Sequence, residues 1–224
     1  MLFFELLVDH FPSFMDAMWQ TVQITLFSLF FGLILGIVFG LMKVSRNKFL
    51  QSLSNAYIWI IRGTPLLVQI YFVYFGIPMA TGMKLTEWQA GIITMSLNAG
   101  AYIAEIVRGG IESIDPGQME AARSLGLPYN KSMAKVVLPQ ALRTMLPSLI
   151  NQFIITLKDT SLLSVIGVRE LTMNGKIITA NNMETIRMWS IVAIYYLIVI
   201  SILTIIAPEV EEITEYILNI YGKF

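Results

Sequence analysis

The chain contains no cysteine. Disulfide frameworks and thiolate metal sites are therefore excluded. Histidine is almost missing as well, His10 being the only one. A lone histidine near the N-terminus reads as an interfacial or solvated side chain rather than a catalytic base. Neither a Ser-His-Asp triad nor a metal cluster can be assembled from one histidine and no cysteine. Charge is scarce: 13% of the 224 residues carry it, against about a quarter in soluble domains. The 15 cations and 15 anions cancel, so the basic surface that nucleic acid requires is not there. No G-x-x-x-x-G-K-[ST] stretch exists to cradle nucleotide phosphates.

What is present is apolar sequence, 56% of the chain. A hydrocarbon core about 30 Å thick takes roughly 20 apolar residues of helix. Residues 17–42 carry no charge and form the first expected span. The second, residues 53–79, is interrupted by Arg62, Gly63 and Pro65. The third covers 88–107 and holds Glu105 near its end. The fourth, 146–157, is short unless the amphipathic residues before it extend the helix. The fifth runs over 188–207 and is expected to stop at Pro208. The fold class is thus an all-α integral membrane protein of about five transmembrane helices. Glu5 and Asp9 stand where a signal peptide carries positive charge, so the first apolar run is expected to stay.

Orientation follows from lysine and arginine in the loops. Lys43, Arg46 and Lys48 follow the first span, and Arg108, Arg123, Lys131, Lys135 and Arg143 follow the third. Placing both sets in the cytoplasm puts the N-terminus outside and the C-terminus inside. Arg169 and Lys176, in the expected outer loop over 158–187, run against the bias but stand beside Asp159, Glu170 and Glu184.

The loop after the third span has a definite local design. Asp115 suits an N-cap, Pro116 the first helical position, and Gln118 completes a capping-box pattern. Gly126 supplies a left-handed stop and Pro128 prevents continuation. The spacing predicts a helix over 116–125 outside the bilayer. Taken alone, such a helix either rests on headgroups or docks a partner.

Beyond this local grammar, Glu120-Ala121-Ala122, then Gly126, then Val136 and Leu138-Pro139 resembles the EAA loop of bacterial ABC importer permeases. "RGTPLLVQIYFVYFG" (62–76), "AYIAEIVRGGI" (101–111) and "LKDTSLLSVIG" (157–167) resemble signature segments of the polar amino-acid family within that group. The similarity extends over about 18–208, with an N-terminal extracytoplasmic segment over 1–17 and a cytoplasmic tail over 209–224. It implies the type I importer permease fold in the bacterial cell membrane and no cofactor. It also implies a polar amino acid as cargo, an ATP-binding cassette subunit dimer, an extracytoplasmic solute-binding protein, and a second permease subunit, identical or homologous. In that family the loop is the coupling helix; Glu120, Ala121, Ala122 and Gly126 then face the ATPase, Ala121 and Ala122 being small enough for close approach. Two other readings remain, a self-contained secondary carrier and a membrane scaffold recruiting a soluble partner. No internal repeat supports the first. Co-purification with an ATPase and substrate-stimulated hydrolysis separates the importer from both.

Polar groups at membrane depth are costly and become functional candidates. Pro65 removes a donor and disfavours helix at Thr64, so the span should break there. Freed backbone groups at such a break can hold cargo. Arg62 either binds a carboxylate with its planar fork or anchors at the interface, alone or paired with Glu105. Asn98, Tyr102 and Glu105 fall at i, i+4 and i+7 on one helix face. Glu105 either looks into a pathway or pairs with Arg108. Gln69 serves either the pathway or core hydrogen bonding. Lys158, Asp159 and Thr160 resemble family segments near the gate. Where many relatives carry an acid three positions before the arginine of "RGTP", this chain has Trp59. That departure favours glutamine or cystine over arginine or lysine.

Overall fold

A computed structural model describes residues 3–221. A short helix α1 (Phe3–Asp9) precedes α2 (Phe11–Lys43). Then come α3 (Lys48–Arg62) and α4 (Leu66–Thr81), joined at an angle of 101°. After α5 (Glu87–Glu112) and α6 (Pro116–Ser124) the chain enters α7 (Tyr129–Ile166). It ends in α8 (Leu171–Asn182) and α9 (Thr185–Tyr221). Among the described residues four helices are long and apolar enough to cross a membrane, and the bent α3–α4 pair, taken as one broken span, makes a fifth.

The α2–α5 pair is the spine, and small residues explain it. Ala17, Thr21, Thr25, Ser28, Gly32, Gly36 and Gly40 are buried along one stripe of α2. Gly32, Gly36 and Gly40 of this stripe meet Ala99, Gly100, Ile103, Ala104 and Val107 of α5. A Cβ built at Gly36 would lie 2.5 Å from Ile103 Cβ, and one at Gly40 would lie 2.7 Å from Val107 Cβ. Without a side chain the backbones approach closely, which is how helices associate where lipid removes the hydrophobic drive. Thr21 and Thr25 satisfy their hydroxyls on Ala17 O (3.0 Å) and Thr21 O (2.8 Å).

Two prolines inside long helices are accommodated by one device. Ile77 N–H donates to Phe72 O, immediately before Pro78, and Leu138 N–H donates to Met133 O, immediately before Pro139. These wide turns bond to the fifth rather than the fourth residue back. They loosen the coil where the proline ring would otherwise strike the carbonyl four residues earlier. The fourth span is extended by the amphipathic residues before it: α7 starts at Tyr129, carries Pro147 within it and spans 38 residues. The expected stop at Pro208 is corrected, because α9 continues through it.

The loop reading holds at both ends of α6. Asp115 Oδ1 accepts from Gly117 N–H at 2.7 Å, but the capping box does not form and Gln118 Oε1 instead accepts from Gln140. At the other end Gly126 has φ +84°, Gly126 N–H donates to Arg123 O and Leu127 N–H to Ala122 O. This is a left-handed glycine closure that satisfies the last carbonyls. The expected outer loop over 158–187 is mostly helical. Within it Glu170 is fully buried and caps α8, its carboxylate accepting from Thr172 N–H and Met173 N–H at 2.7 Å each and from Tyr196 Oη at 2.9 Å. It is not a loop charge.

Candidate functional site

The broken second span opens a cavity in the middle of the bundle. Gly63-Thr64-Pro65 interrupts the helical ladder, and Gln69 closes it again from the side. Its Nε2 donates to Ile61 O (2.7 Å), Thr64 O (3.0 Å) and Thr64 Oγ1 (2.9 Å). Its Oε1 accepts from Asn98 Nδ2 at 3.2 Å. One buried amide thus satisfies carbonyls that lipid could not and fixes the break against α5.

Beside the break lies a cavity of about 370 Å³ lined by Thr64, Asn98, Tyr102, Gln152 and Asp159, with Pro65, Leu66, Ile155 and Leu162 as apolar wall. Tyr102 and Gln152 also line an adjoining space of about 350 Å³ that reaches Arg62, Glu105, Ser148 and Asn151. The two spaces form a polar track toward the α6 end. The Arg62 guanidinium stands over the Tyr102 ring, 5.1 Å from its centroid.

At the α6 side of this track Glu105 collects cations from three helices. Lys43 of α2 pairs with its Oε1, Arg108 Nε donates to Oε2 at 2.7 Å, and Arg62 Nη1 lies 3.5 Å from Oε1. Arg108 also pairs with Glu112. The two alternatives for Glu105 therefore coincide: it pairs with Arg108 and it lines the track. Arg62, paired with the same carboxylate, has the longest contact of the three.

Most residues expected from sequence are brought together here, with three exceptions. Gln69 supports the break but does not line the cavity. Thr160 is fully buried and donates to Leu157 O at 2.6 Å, so its hydroxyl is used within the helix end. Lys158 is exposed and lies outside the cavity wall. Sequence reading missed Gln152, buried on α7 and donating to Thr156 Oγ1 at 3.3 Å. The signal was available: Gln152, Thr156 and Asp159 repeat the i, i+4, i+7 pattern of Asn98, Tyr102 and Glu105. Lys43, the partner of Glu105 across 62 positions, left no such signal.

On α6, Glu120 and Ala121 are exposed, whereas Ala122 is buried against the chain's own helices. Ala122 therefore serves the internal packing of the loop rather than an outward face. The apolar residue presented outward is Leu125, which is 84% exposed beside Gly126.

Residues 32–208 match the family described as binding-protein-dependent transport system inner membrane component. The glutamine transport system permease protein GlnP of Escherichia coli K12 is 41% identical over 202 residues, covering 90% of this chain and 92% of that one. The arginine transport system permease protein ArtQ of Bacillus subtilis is 35% identical over 93% of this chain and 95% of its own length. A crystal structure of an amino acid ABC transporter with histidines superposes with a TM-score of 0.89 at 36% identity, over 95% of this chain and 98% of that one. The broken span, the capped loop helix and these similarities converge: the chain belongs to the family of inner membrane components of binding-protein-dependent transport systems.

Proposed function

We propose that this chain forms the membrane pathway of an ATP-driven importer for a polar amino acid, with the 370 Å³ cavity as the point where cargo rests. The observation that carries this reading is the polar lining of that cavity within apolar spans. Asn98, Gln152 and Thr64 offer amide and hydroxyl groups to a polar side chain. Asp159, the only carboxylate in the wall, suits an ammonium group, and Arg62 in the adjoining space suits a carboxylate. With Asp159 engaged, the acid left along the track is Glu105, already paired with Lys43, Arg108 and Arg62, and Trp59 supplies none. Glutamine or cystine therefore fits the site better than arginine or lysine.

In this reading the N-terminus lies outside and the C-terminus in the cytoplasm of a bacterial cell, following the lysine and arginine bias. A two-fold partner permease, identical or homologous, completes the pathway. A solute-binding protein delivers cargo outside, and an ATP-binding cassette dimer receives α6 through Glu120, Ala121, Leu125 and Gly126. The family supplies hydrolysis from a separate subunit, and this chain carries no nucleotide-binding loop. The test is uptake by the assembled complex. Asp159→Asn should raise the half-saturating concentration for cargo by about tenfold, the loss of one charge-assisted contact, with the ATPase still bound. Single cysteines at Asn47 and Asn130 should react only from the cytoplasmic side, and one at Thr81 only from outside. Unchanged uptake in Asp159→Asn removes the cavity from the pathway, and external labelling of Asn130 in intact cells reverses the orientation.

A further inference from the structure

A second polar cavity lies at the end of the bundle opposite α6, and nothing in the pathway described above uses it. It has a volume of about 520 Å³ and is lined by Asp16, Trp19, Gln20 and Gln23 of α2, Trp88 of α5 and Arg169 between α7 and α8, among others. Asp16, Gln20 and Gln23 recur at i, i+4 and i+7, so one face of an otherwise apolar span is polar for two turns. Lipid does not solvate such a face, and the side chains must look into water or a ligand. None of these three, nor Arg169, makes a side-chain hydrogen bond or ion pair among the described residues. Asp16 and Arg169 share the wall without pairing with each other.

The backbone on either side of Arg169 is anchored. Its neighbours Val168 and Glu170 are fully buried, Gly167 turns the chain at φ +91°, and Leu171 N–H donates to Thr21 Oγ1 of α2 at 3.3 Å. Asn174 and Ser13 of the same wall are already hydrogen-bonded to each other at 3.2 Å. The cavity therefore offers one free carboxylate, one free guanidinium, two free amides and two indole faces on fixed elements. A zwitterion needs the first two together, and a polar side chain uses the amides.

We propose that this cavity is an outer amino-acid site, with Asp16 taking the ammonium and Arg169 the carboxylate of cargo before it reaches the midplane cavity. The proposal rests on the amino-acid reading above and extends it to a second position along the path. Its test is equilibrium dialysis of the purified permease–ATPase complex with cystine and each of the twenty amino acids, radiolabelled and taken singly. The bound amino acid should occupy two sites per permease chain. Asp16→Asn and Arg169→Gln change exposed side chains, so the fold should persist, and each should remove one site. Asp159→Asn should remove the other. Two sites retained in both Asp16→Asn and Arg169→Gln overturn the outer site, as does one site indifferent to these residues. If both sites persist while stimulation of hydrolysis by the loaded binding protein falls, the cavity is a protein-docking surface and the proposal is overturned. One site lost in Asp16→Asn and Arg169→Gln but kept in Asp159→Asn sustains the outer site and sinks the midplane reading. No binding to the wild-type complex overturns both.

Discussion

Gln69 and Asn98 meet at 3.2 Å across the break in the second span, and through that contact the break is held against α5. The amide of Gln69 is shared among Ile61 O, Thr64 O and Thr64 Oγ1, so the irregular backbone at membrane depth is satisfied internally. Gln69→Leu keeps similar bulk and leaves these acceptors and the Asn98 amide without partners. Each uncompensated buried group costs about 1–3 kcal/mol. The melting temperature of the purified complex should fall by several degrees, and it should fall in Gln69→Glu as well, which still accepts from Asn98 but has at most one O–H for three acceptors. A wild-type melting temperature in both would show that the break is stable without this residue.

The α2–α5 spine yields a second prediction. A Cβ at Gly36 collides with the Ile103 side chain, and overpacking of this kind costs about 1–3 kcal/mol. Gly36→Ala should reduce the amount of folded protein recovered from membranes. Ile103→Ala alone should also be deleterious, because Ile103 is buried. Combined, the two should be less harmful than their sum, since the new methyl enters the space that the isoleucine leaves. Strict additivity would place the clash elsewhere.

Much of this architecture could be read from the chain because its signals are local. Pro65 after Gly63-Thr64 announces a broken helix, and Asp115 with Gly126 brackets α6 to within a residue of the observed helix. Apolar tracts locate the first, third and fifth spans. The failures share a cause: the decisive partner is distant in sequence. Pro208 reads as a stop because nothing nearby shows that a helix will continue through it. Glu170 follows Arg169 and reads as a solvated loop charge, yet Tyr196, 26 positions on, helps bury it. Ala122 reads as a docking surface because its spacing alone does not show which side of α6 packs inward.

Glu170 gives a pH dependence. Burial pushes its carboxyl above the ordinary carboxylate range, against the opposing pull of Thr172 N–H, Met173 N–H and Tyr196 Oη. The native state therefore keeps this proton to higher pH than the unfolded chain, whose glutamate titrates near about 4.3. Between that value and the raised native one, folding takes up protons. This group's contribution to stability accordingly declines as pH rises through the window and is level above it. Thermal melts of the purified complex from about pH 4 upward, compared with Glu170→Gln, isolate the effect, because glutamine does not titrate there. The variant should show a flatter profile across the window. Identical slopes in the two proteins would assign the pH dependence to other groups.

The loop helix α6 carries the sharpest contrast between packing and docking. At nine residues it is too short to be stable in isolation, and its inner face is anchored by Ala122, which is 5% exposed. Ala121 and Leu125 face outward, and Leu125 is an apolar side chain offered to solvent at the glycine stop. If α6 transmits movement from an ATPase, these two positions should behave differently from Ala122. Ala121→Asp and Leu125→Asp should leave the permease folded and in the membrane, since neither residue is buried. Each places an unpaired charge in the contact with the ATPase, so the ATPase should dissociate or hydrolyse ATP without responding to cargo, and uptake should collapse. Ala122→Leu should instead reduce folded protein, by overpacking the loop against its own chain. Gly126→Val forces a branched side chain into φ +84°, at a cost of at least about 1 kcal/mol, and should shift the end of α6 with partial loss of both properties. Blue-native electrophoresis, cargo-stimulated hydrolysis and uptake read these outcomes separately. Normal uptake in Ala121→Asp and Leu125→Asp would mean that α6 merely rests on headgroups, and that force enters the permease by another route.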